Sequence, residues 1–227
     1  ALSISYMDAT QGWIPTIDEA VSYIPVKLND NGIFGYGYDG SSFSISNTVS
    51  NVGVISADVT GVGTARYYLA ACEYGGDKAI FGYGSTASQF SLTNLVSNAG
   101  VVATDTTGVG TARNGLGAAT YGGDKGIFAY GTGAPSYVSM SNLVSNAGVV
   151  ATDVTGVGTA RSFVAATEYS AGKDKAIFAG GDVGANYVGM TNLVSNVGVV
   201  GTDVTAVMTA KGNLAAAYYG TDKGIFA

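Results

Sequence analysis

Side chains that commonly catalyse reactions or bind metals are scarce in this chain. Its 227 residues include no His and one Cys, with 16 Asp or Glu and ten Lys or Arg. The lack of His excludes histidine general-base catalysis, Ser-His-Asp and Cys-His nucleophile systems, and His-ligated metal sites. A single Cys excludes a disulfide framework and thiolate zinc clusters. Carboxylates and basic side chains are therefore the main remaining candidates for chemistry.

Most of the charged residues recur at fixed spacings. Four aspartates each stand eight residues before a basic side chain. These pairs are Asp58 and Arg66, Asp105 and Arg113, Asp153 and Arg161, and Asp203 and Lys211. Adjacent Asp-Lys pairs begin at Asp77, Asp124, Asp174 and Asp222. Together the two sets hold 16 of the 26 charged residues, so most of the charge belongs to a repeated pattern.

A residue that recurs in every repeat is usually structural, whereas a catalytic pair is normally unique. We therefore expect the Asp and Arg residues to form ion pairs that link neighbouring repeats, and bidentate Arg–carboxylate geometry would suit that role. A ring of Asp residues that binds Ca²⁺ is the competing hypothesis. The chain has no Asp-x-Asp-x-Asp loop, which counts against it. The prediction is no metal site and no cofactor.

The elements that must position these residues form an internal repeat. An Ile-Phe pair preceded by Gly or Ala ends at intervals of 47, 47, 50 and 48 residues, at Phe34, Phe81, Phe128, Phe178 and Phe226. Gly and β-branched residues dominate and helical signals are weak. In the second repeat the pattern predicts four strands, over 67–74, 78–83, 89–96 and 101–107, joined by turns rich in Gly, Asn and Asp.

Four strands in a repeat of about 40–50 residues are typical of a β-propeller blade. The predicted fold is all-β, one propeller domain over 1–227 with four-stranded antiparallel blades. Its repeats span 29–66, 67–113, 114–161 and 162–211, and a partial repeat follows at 212–227. Residues 1–28 diverge and are predicted to supply a closing strand (1–11) and the entry to the first blade. Pairing of 1–11 with 213–227 would give five blades and remove exposed sheet edges; a fragment of a longer propeller is the alternative.

The repeats resemble kelch-type propeller blades. The matching segments run from Thr64 through Gly84, from Arg113 through Gly131 and from Arg161 through Gly181. Each has a loop ending in Arg, a small apolar strand and an Ile-Phe strand. Only Gly180-Gly181 supplies the usual kelch Gly doublet, and the Trp expected later in a blade is missing. Near-identical repeats rich in Gly, Ala and Thr also resemble those of bacteriophage tail and virion-surface proteins, which implies an extracellular or virion setting.

Comparison of the repeats with one another predicts a binding face. In an antiparallel blade, the loops between strands 2 and 3 open on the same side as the loops that lead into strand 1. Both loop sets vary between repeats, whereas the turns on the opposite side are nearly uniform. Unconstrained drift of loops is the alternative explanation. The predicted ligand-binding residues are Tyr38, Asp39, Tyr67, Tyr68, Gln89, Asn114, Phe163, Asp182, Asn186 and Asn213.

These residues predict a binding or adhesion module without catalysis, which recognises a glycan or protein on a cell surface as an extracellular or virion component. Aromatic rings stack on sugar faces, and amides hydrogen-bond sugar hydroxyls. A structural scaffold or decoration protein of such an assembly is the first alternative. A glycoside-acting enzyme that uses carboxylates such as Asp39 and Asp182 is the second. The net charge of −6 argues against nucleic acid as a partner. The chain contains no uninterrupted run of 18 apolar residues, so the sequence predicts no membrane-spanning helix.

Overall fold

The computed structural model describes residues 31–205 and 208–227, together with the backbone of two N-terminal strands at 3–8 and 12–16. Within these residues the chain is all-β and consists of several small antiparallel sheets, none of which closes on itself. The predicted all-β class is confirmed. In this described part, no helix has the length and apolar character needed to cross a membrane.

The strands follow the order of the repeats. β1 (Ser3–Asp8) and β2 (Gly12–Thr16) form a hairpin, and the first repeat contains β3 (Gly32–Tyr38) and β4 (Ser42–Val49). The second repeat contains β5 (Ala70–Tyr74), β6 (Lys78–Gly82) and β7 (Thr93–Val96). The third and its entry contain β8 (Arg113–Asn114), β9 (Gly117–Tyr121), β10 (Lys125–Ala129), β11 (Thr132–Gly133) and β12 (Ser141–Val144). The remainder are β13 (Ala165–Tyr169), β14 (Lys175–Ala179) and β15 (Thr191–Val194) in the fourth repeat, then β16 (Ala216–Tyr219) and β17 (Lys223–Phe226).

Three of the four strands predicted for the second repeat are present, although they are shorter than expected. β5, β6 and β7 form one sheet, and the third and fourth repeats each reproduce this arrangement. The predicted fourth strand contributes only two isolated bridges, Thr93 with Thr106 and Val96 with Val102. Its ladder is interrupted because the Asn94 side chain donates a hydrogen bond to the backbone carbonyl of Ala103. The outer edge of each repeat is therefore short and irregular, which limits edge-to-edge pairing.

The N-terminal strand does not pair as predicted. β1 pairs with β2 from Ser3 opposite Thr16 to Asp8 opposite Gly12, with a shift of register between Tyr6 and Asp8. β16 and β17 form a two-stranded sheet, so among the described strands the expected pairing of 1–11 with 213–227 is wrong. Two strands joined by a short loop pair at a low entropic cost, and this favours the local hairpin. The remainder of the predicted entry segment, 17–28, lies outside the described residues.

Consecutive sheets pack face to face through the repeated Ile-Phe pair. Ile127 and Phe128 have no exposed surface. Phe128 lies so close to Gly82 of the preceding repeat that a Cβ on Gly82 would be 2.7 Å from the ring. The equivalent side chains at the two ends differ, because Phe34 is 65% exposed and Ile225 is 54% exposed among the described residues. The core therefore lies between repeats rather than within one sheet.

The row of sheets curves. Backbone hydrogen bonds join the uniform turns of successive repeats, from Gly75 to Asp124, from Gly122 to Asp174 and from Ser170 to Asp222. Lys173 in the fourth repeat extends further and forms an ion pair with Glu73 of the second repeat at 2.9 Å. Stacked sheets lie about 10 Å apart, so a flat stack would hold these two repeats too far apart for a direct contact. The curvature brings the loops at one end of the first strands close together.

Candidate functional site

A buried Arg side chain joins each of the first three pairs of neighbouring repeats. Three such residues have no exposed surface: Arg66, Arg113 and Arg161. The Arg113 guanidinium lies 4.2 Å from the ring centroid of Tyr83, in a cation–π contact. Its Nε donates to the carbonyl of Tyr130 at 3.0 Å, and its Nη2 donates to Oδ1 of Asn142 at 2.7 Å. Because Tyr83 belongs to the second repeat and Asn142 to the third, the guanidinium holds two sheets together.

The aspartate nearest each Arg belongs to the following repeat. Oδ1 of Asp153 lies 4.0 Å from Nη1 of Arg113, whereas Asp105 contacts Arg66 instead. The expected ion pairs between repeats are confirmed, but the expected bidentate geometry is wrong, since the shortest approach in each of these two pairs is one Nη1–Oδ1 distance of 4.0 Å. The Asp153 carboxylate accepts hydrogen bonds from the backbone N–H and hydroxyl of Thr111, at 3.0 and 2.7 Å, and from Nδ2 of Asn142 at 2.9 Å. The carboxylate is therefore satisfied mainly by neutral donors, and Asn142 connects it to the Arg.

Two residue types in this network were missed by sequence reasoning although both recur. The asparagine stands at Asn94, Asn142 and Asn192, and the tyrosine stands at Tyr36, Tyr83 and Tyr130. Each tyrosine has a positive φ of 64–66° that aims its ring at the guanidinium. In the fourth repeat Gly180 replaces the tyrosine and Lys211 replaces the Arg. This paired replacement is the signal that could have identified the contact.

The network makes stability depend on acid pH. Burial would raise the pKa of Asp153, but hydrogen bonds from Thr111 and Asn142 outweigh it, so the pKa lies below the ordinary 3.8, as it does for Asp105 and Asp203. A carboxylate with a lowered folded-state pKa stabilises the protein above its unfolded-state pKa, and this stabilisation is lost as the pH falls through the folded value. We expect the free energy of unfolding to fall below about pH 4. Urea denaturation between pH 2 and 6 should give a steeper decline for the unmodified chain than for Asp153→Asn, and equal declines would contradict this account.

The described residues offer no cluster of His, Cys, Asp or Glu that could hold a metal ion. Cys72 is the free thiol, and its Sγ faces the backbone of Gly126 in the next repeat. Burial raises the pKa of Cys72 to about 12. The thiol is therefore protonated at neutral pH and packs as a small apolar side chain.

On the face with variable loops, four aromatic side chains form a continuous row. The ring centroids of Tyr38 and Tyr67 are 4.9 Å apart, those of Tyr67 and Tyr68 are 4.8 Å apart, and those of Tyr68 and Phe163 are 5.2 Å apart. The last two pairs meet edge to face, an arrangement that stabilises aromatic pairs. Tyr38 and Tyr68 are 62% and 54% exposed. The row therefore presents aromatic surface to solvent in a fixed arrangement.

The backbone beneath the row lies in the left-handed region. Equivalent positions in four repeats have φ between 51 and 62°: Tyr68, Gly115, Phe163 and Asn213. These positions are linked by backbone hydrogen bonds: the N–H of Gly115 donates to the carbonyl of Tyr68 at 2.9 Å, that of Phe163 to Gly115 at 2.6 Å, and that of Asn213 to Phe163 at 3.3 Å. Gly and Asn adopt this conformation readily, whereas other residues held there cost about 1–3 kcal/mol each. Tyr68 and Phe163 therefore hold strain, which commonly accumulates at ligand sites.

A larger cavity of about 660 Å³ has Tyr68 among its lining residues. Its lining includes Tyr67, the loop 85–89 and Asn114. Nδ2 of Asn114 donates to Oγ of Ser85 at 2.8 Å, and Nε2 of Gln89 donates to the carbonyl of Thr132 at 3.1 Å. These bonds fix both amides through their nitrogen atoms, and no described residue donates to their oxygens. The cavity thus offers uncharged acceptors beside two aromatic rings.

A smaller pocket of about 250 Å³ also has Tyr68 in its lining. The other residues that line it are Leu69, Gly115, Leu116, Phe163, Val164, Asn213 and Leu214. Leu116 and Val164 are each only 6% exposed. A Cβ on Gly115 would lie 3.4 Å from the Phe163 ring, so the Gly leaves room for the ring that borders this pocket.

The structure brings together seven of the ten predicted binding residues: Tyr38, Tyr67, Tyr68, Gln89, Asn114, Phe163 and Asn213. The other three line neither the larger cavity nor the smaller pocket. Asp39 accepts a hydrogen bond from the N–H of Ser41, and Asp182 accepts one from Gly184, so each carboxylate closes its own turn. Asn186 is exposed on the same turn as Asp182. Local turn chemistry therefore accounts for the two aspartates.

A scan against protein-family models and a search of curated proteins both find no match for this chain. Fold alone would not establish a function, because one fold supports many. The function is therefore argued from the aromatic row and the two cavities beside it.

Proposed function

We propose that this chain is a non-catalytic binding module that recognises a neutral glycan on a cell surface. The observation that carries the proposal is the row of Tyr38, Tyr67, Tyr68 and Phe163, held beside uncharged polar groups. Ligand sites combine apolar or aromatic walls with a few placed polar groups. Sugars match this pattern, since their C–H faces stack on rings and their hydroxyls hydrogen-bond to amides.

The charge of the lining favours a neutral ligand. No Asp, Glu, Lys or Arg is among the residues that line the larger cavity or the smaller pocket. An anionic ligand would lack the Arg or Lys that ordinarily pairs with carboxylate, sulfate or phosphate. The site therefore suits sugars that carry only hydroxyl, ether and amide groups.

A binding function fits these residues better than glycoside hydrolysis. That chemistry needs two carboxyl groups about 5–10 Å apart around one bond. Asp39 and Asp182 instead close separate turns and line neither cavity. The carboxylates of the Arg network are held by Thr and Asn donors, which fits a structural role.

We further propose that the repeats are kelch-like blades of a β-propeller and that the protein works in an extracellular or virion setting. The curved row of three-stranded sheets supports this arrangement, with each first strand beside the next. A scaffold or decoration role is the second candidate. It is favoured by the exposure of Phe34 and Ile225, whose equivalents Phe128 and Ile127 are completely buried between repeats.

A glycan array tests the proposed function. The unmodified chain should bind neutral glycans, and Tyr67→Ala should lose that binding because it removes the central ring of the row. Tyr219→Ala is the matched control, since Tyr219 is also an exposed tyrosine (50%) but lies outside both cavities. An array without hits, combined with concentration-dependent assembly in light scattering, would reject glycan binding and favour the scaffold role.

A further inference from the structure

Resting on the proposed function, we infer that the smaller pocket selects the acetamido group of an N-acetylated neutral sugar, while the next sugar of the same chain occupies the larger cavity. Tyr68 lines both spaces. A ligand that occupies both of them must extend beyond a single sugar ring. The expected ligand is therefore a short neutral oligosaccharide with N-acetyl groups.

Part of the smaller pocket suits a methyl group. Leu69, Leu116, Val164 and Leu214 are among its lining residues, and the Tyr68 and Phe163 rings are in contact with each other beside them. A buried methyl group is worth about 0.8 kcal/mol, while a hydroxyl placed against these side chains without a partner would cost free energy. An acetamido group, with one apolar and one polar half, gains from this mixed lining, whereas an unsubstituted sugar hydroxyl does not.

The side-chain amide of Asn213 can hydrogen-bond to the polar half of the acetamido group. This residue lines the same pocket, and its side-chain amide makes no hydrogen bond with a described residue. An amide carries both a donor and an acceptor, as does the acetamido group. Asn213 also occupies the left-handed position held by Gly115 in the third repeat, so its side chain is not needed to maintain the backbone there.

The neighbouring sugar would meet different chemistry in the larger cavity. The amide nitrogens of Asn114 and Gln89 are already bonded to Ser85 and Thr132, so their oxygens are the groups left to accept from hydroxyls. Tyr67 adds a ring whose hydroxyl is held by the carbonyl of Thr86 at 3.2 Å. Hydroxyl recognition is thus assigned to the larger cavity and acetamido recognition to the smaller pocket.

Two trisaccharides with the same linkage test this inference. Chitotriose carries acetamido groups where cellotriose carries hydroxyls, and isothermal titration calorimetry should show chitotriose binding at least tenfold more tightly. Asn213→Gly should weaken chitotriose binding about tenfold, a loss of about 1.4 kcal/mol, and leave cellotriose binding unchanged. Asn186→Gly is the control, because Asn186 is an exposed asparagine on the variable face outside the pocket.

The outcomes separate this inference from the proposed function. If both trisaccharides bind equally and Tyr67→Ala abolishes both, the glycan site stands and the acetamido assignment is wrong. If Asn213→Gly leaves chitotriose binding intact, the role of Asn213 is wrong. Failure of every neutral glycan on the array overturns the proposed function and the inference together.

Discussion

Arg113→Met should lower the free energy of unfolding by about 3 kcal/mol, since removal of one member of a buried charged network typically costs 3–5 kcal/mol. Arg113 has no exposed surface, and its guanidinium contacts side chains or carbonyls from two repeats. Methionine fills part of the space but donates no hydrogen bond. The Tyr130 carbonyl and the Asn142 amide oxygen would then remain buried without their donors.

Two controls separate the network from a general loss of positive charge. Lys125→Met removes a cation that pairs with Asp124 at the surface, and it should cost less than about 1 kcal/mol. Arg113→Lys keeps the charge but lacks the planar fork that contacts Asn142 and the Tyr130 carbonyl together. Its cost in unfolding free energy should therefore lie between those of Lys125→Met and Arg113→Met. Chemical denaturation followed by tyrosine fluorescence measures all three. Equal costs for Arg113→Met and Lys125→Met would show that the buried network does not hold the repeats together.

The Arg network also shows what the sequence could and could not predict. The recurrence of Asp and Arg correctly indicated a structural device, because a repeated residue faces a repeated environment. The partner of each Arg could not be obtained from spacing along the chain. Arg113 lies eight residues from Asp105 but contacts Asp153, since the chain passes through a whole repeat before it returns to the same interface. Contacts between stacked sheets depend on three-dimensional packing that local spacing does not encode.

The variable face was predicted for a sound physical reason, and seven of its ten residues come together there. The backbone conformation beneath it was missed. Nothing in Tyr68 itself indicates a positive φ, because bulky residues rarely adopt one. The signal was in the other repeats, where Gly115 and Asn213 occupy the equivalent position. Three predicted residues line neither cavity, and two of them, Asp39 and Asp182, close turns through their own side chains.

Tyr68→Gly should abolish chitotriose binding while leaving the fold as stable as before, within about 1 kcal/mol. The left-handed backbone at φ 54° suits Gly, so the substitution relieves strain of about 1 kcal/mol or more. Loss of the edge-to-face contact with Phe163 and the added freedom of the unfolded chain each cost a similar amount. The gain offsets about half of these losses, so the net cost in stability stays within about 1 kcal/mol. Nothing compensates the loss of the ring in binding, because Tyr68 lines both the larger cavity and the smaller pocket.

Alanine at the same position distinguishes strain from packing. Tyr68→Ala removes the ring but keeps a Cβ in the left-handed region, so it should be about 1 kcal/mol less stable than Tyr68→Gly. At Tyr67, whose φ is not positive, the order should reverse, and Gly should be less stable than Ala by about 0.5–1 kcal/mol. Thermal and urea denaturation of the four variants measure whether the order of stability of Gly and Ala reverses between the two positions. If Tyr68→Gly is the least stable of the four, packing of the Tyr68 ring stabilises the fold by more than the backbone strain costs, and the strain argument is wrong.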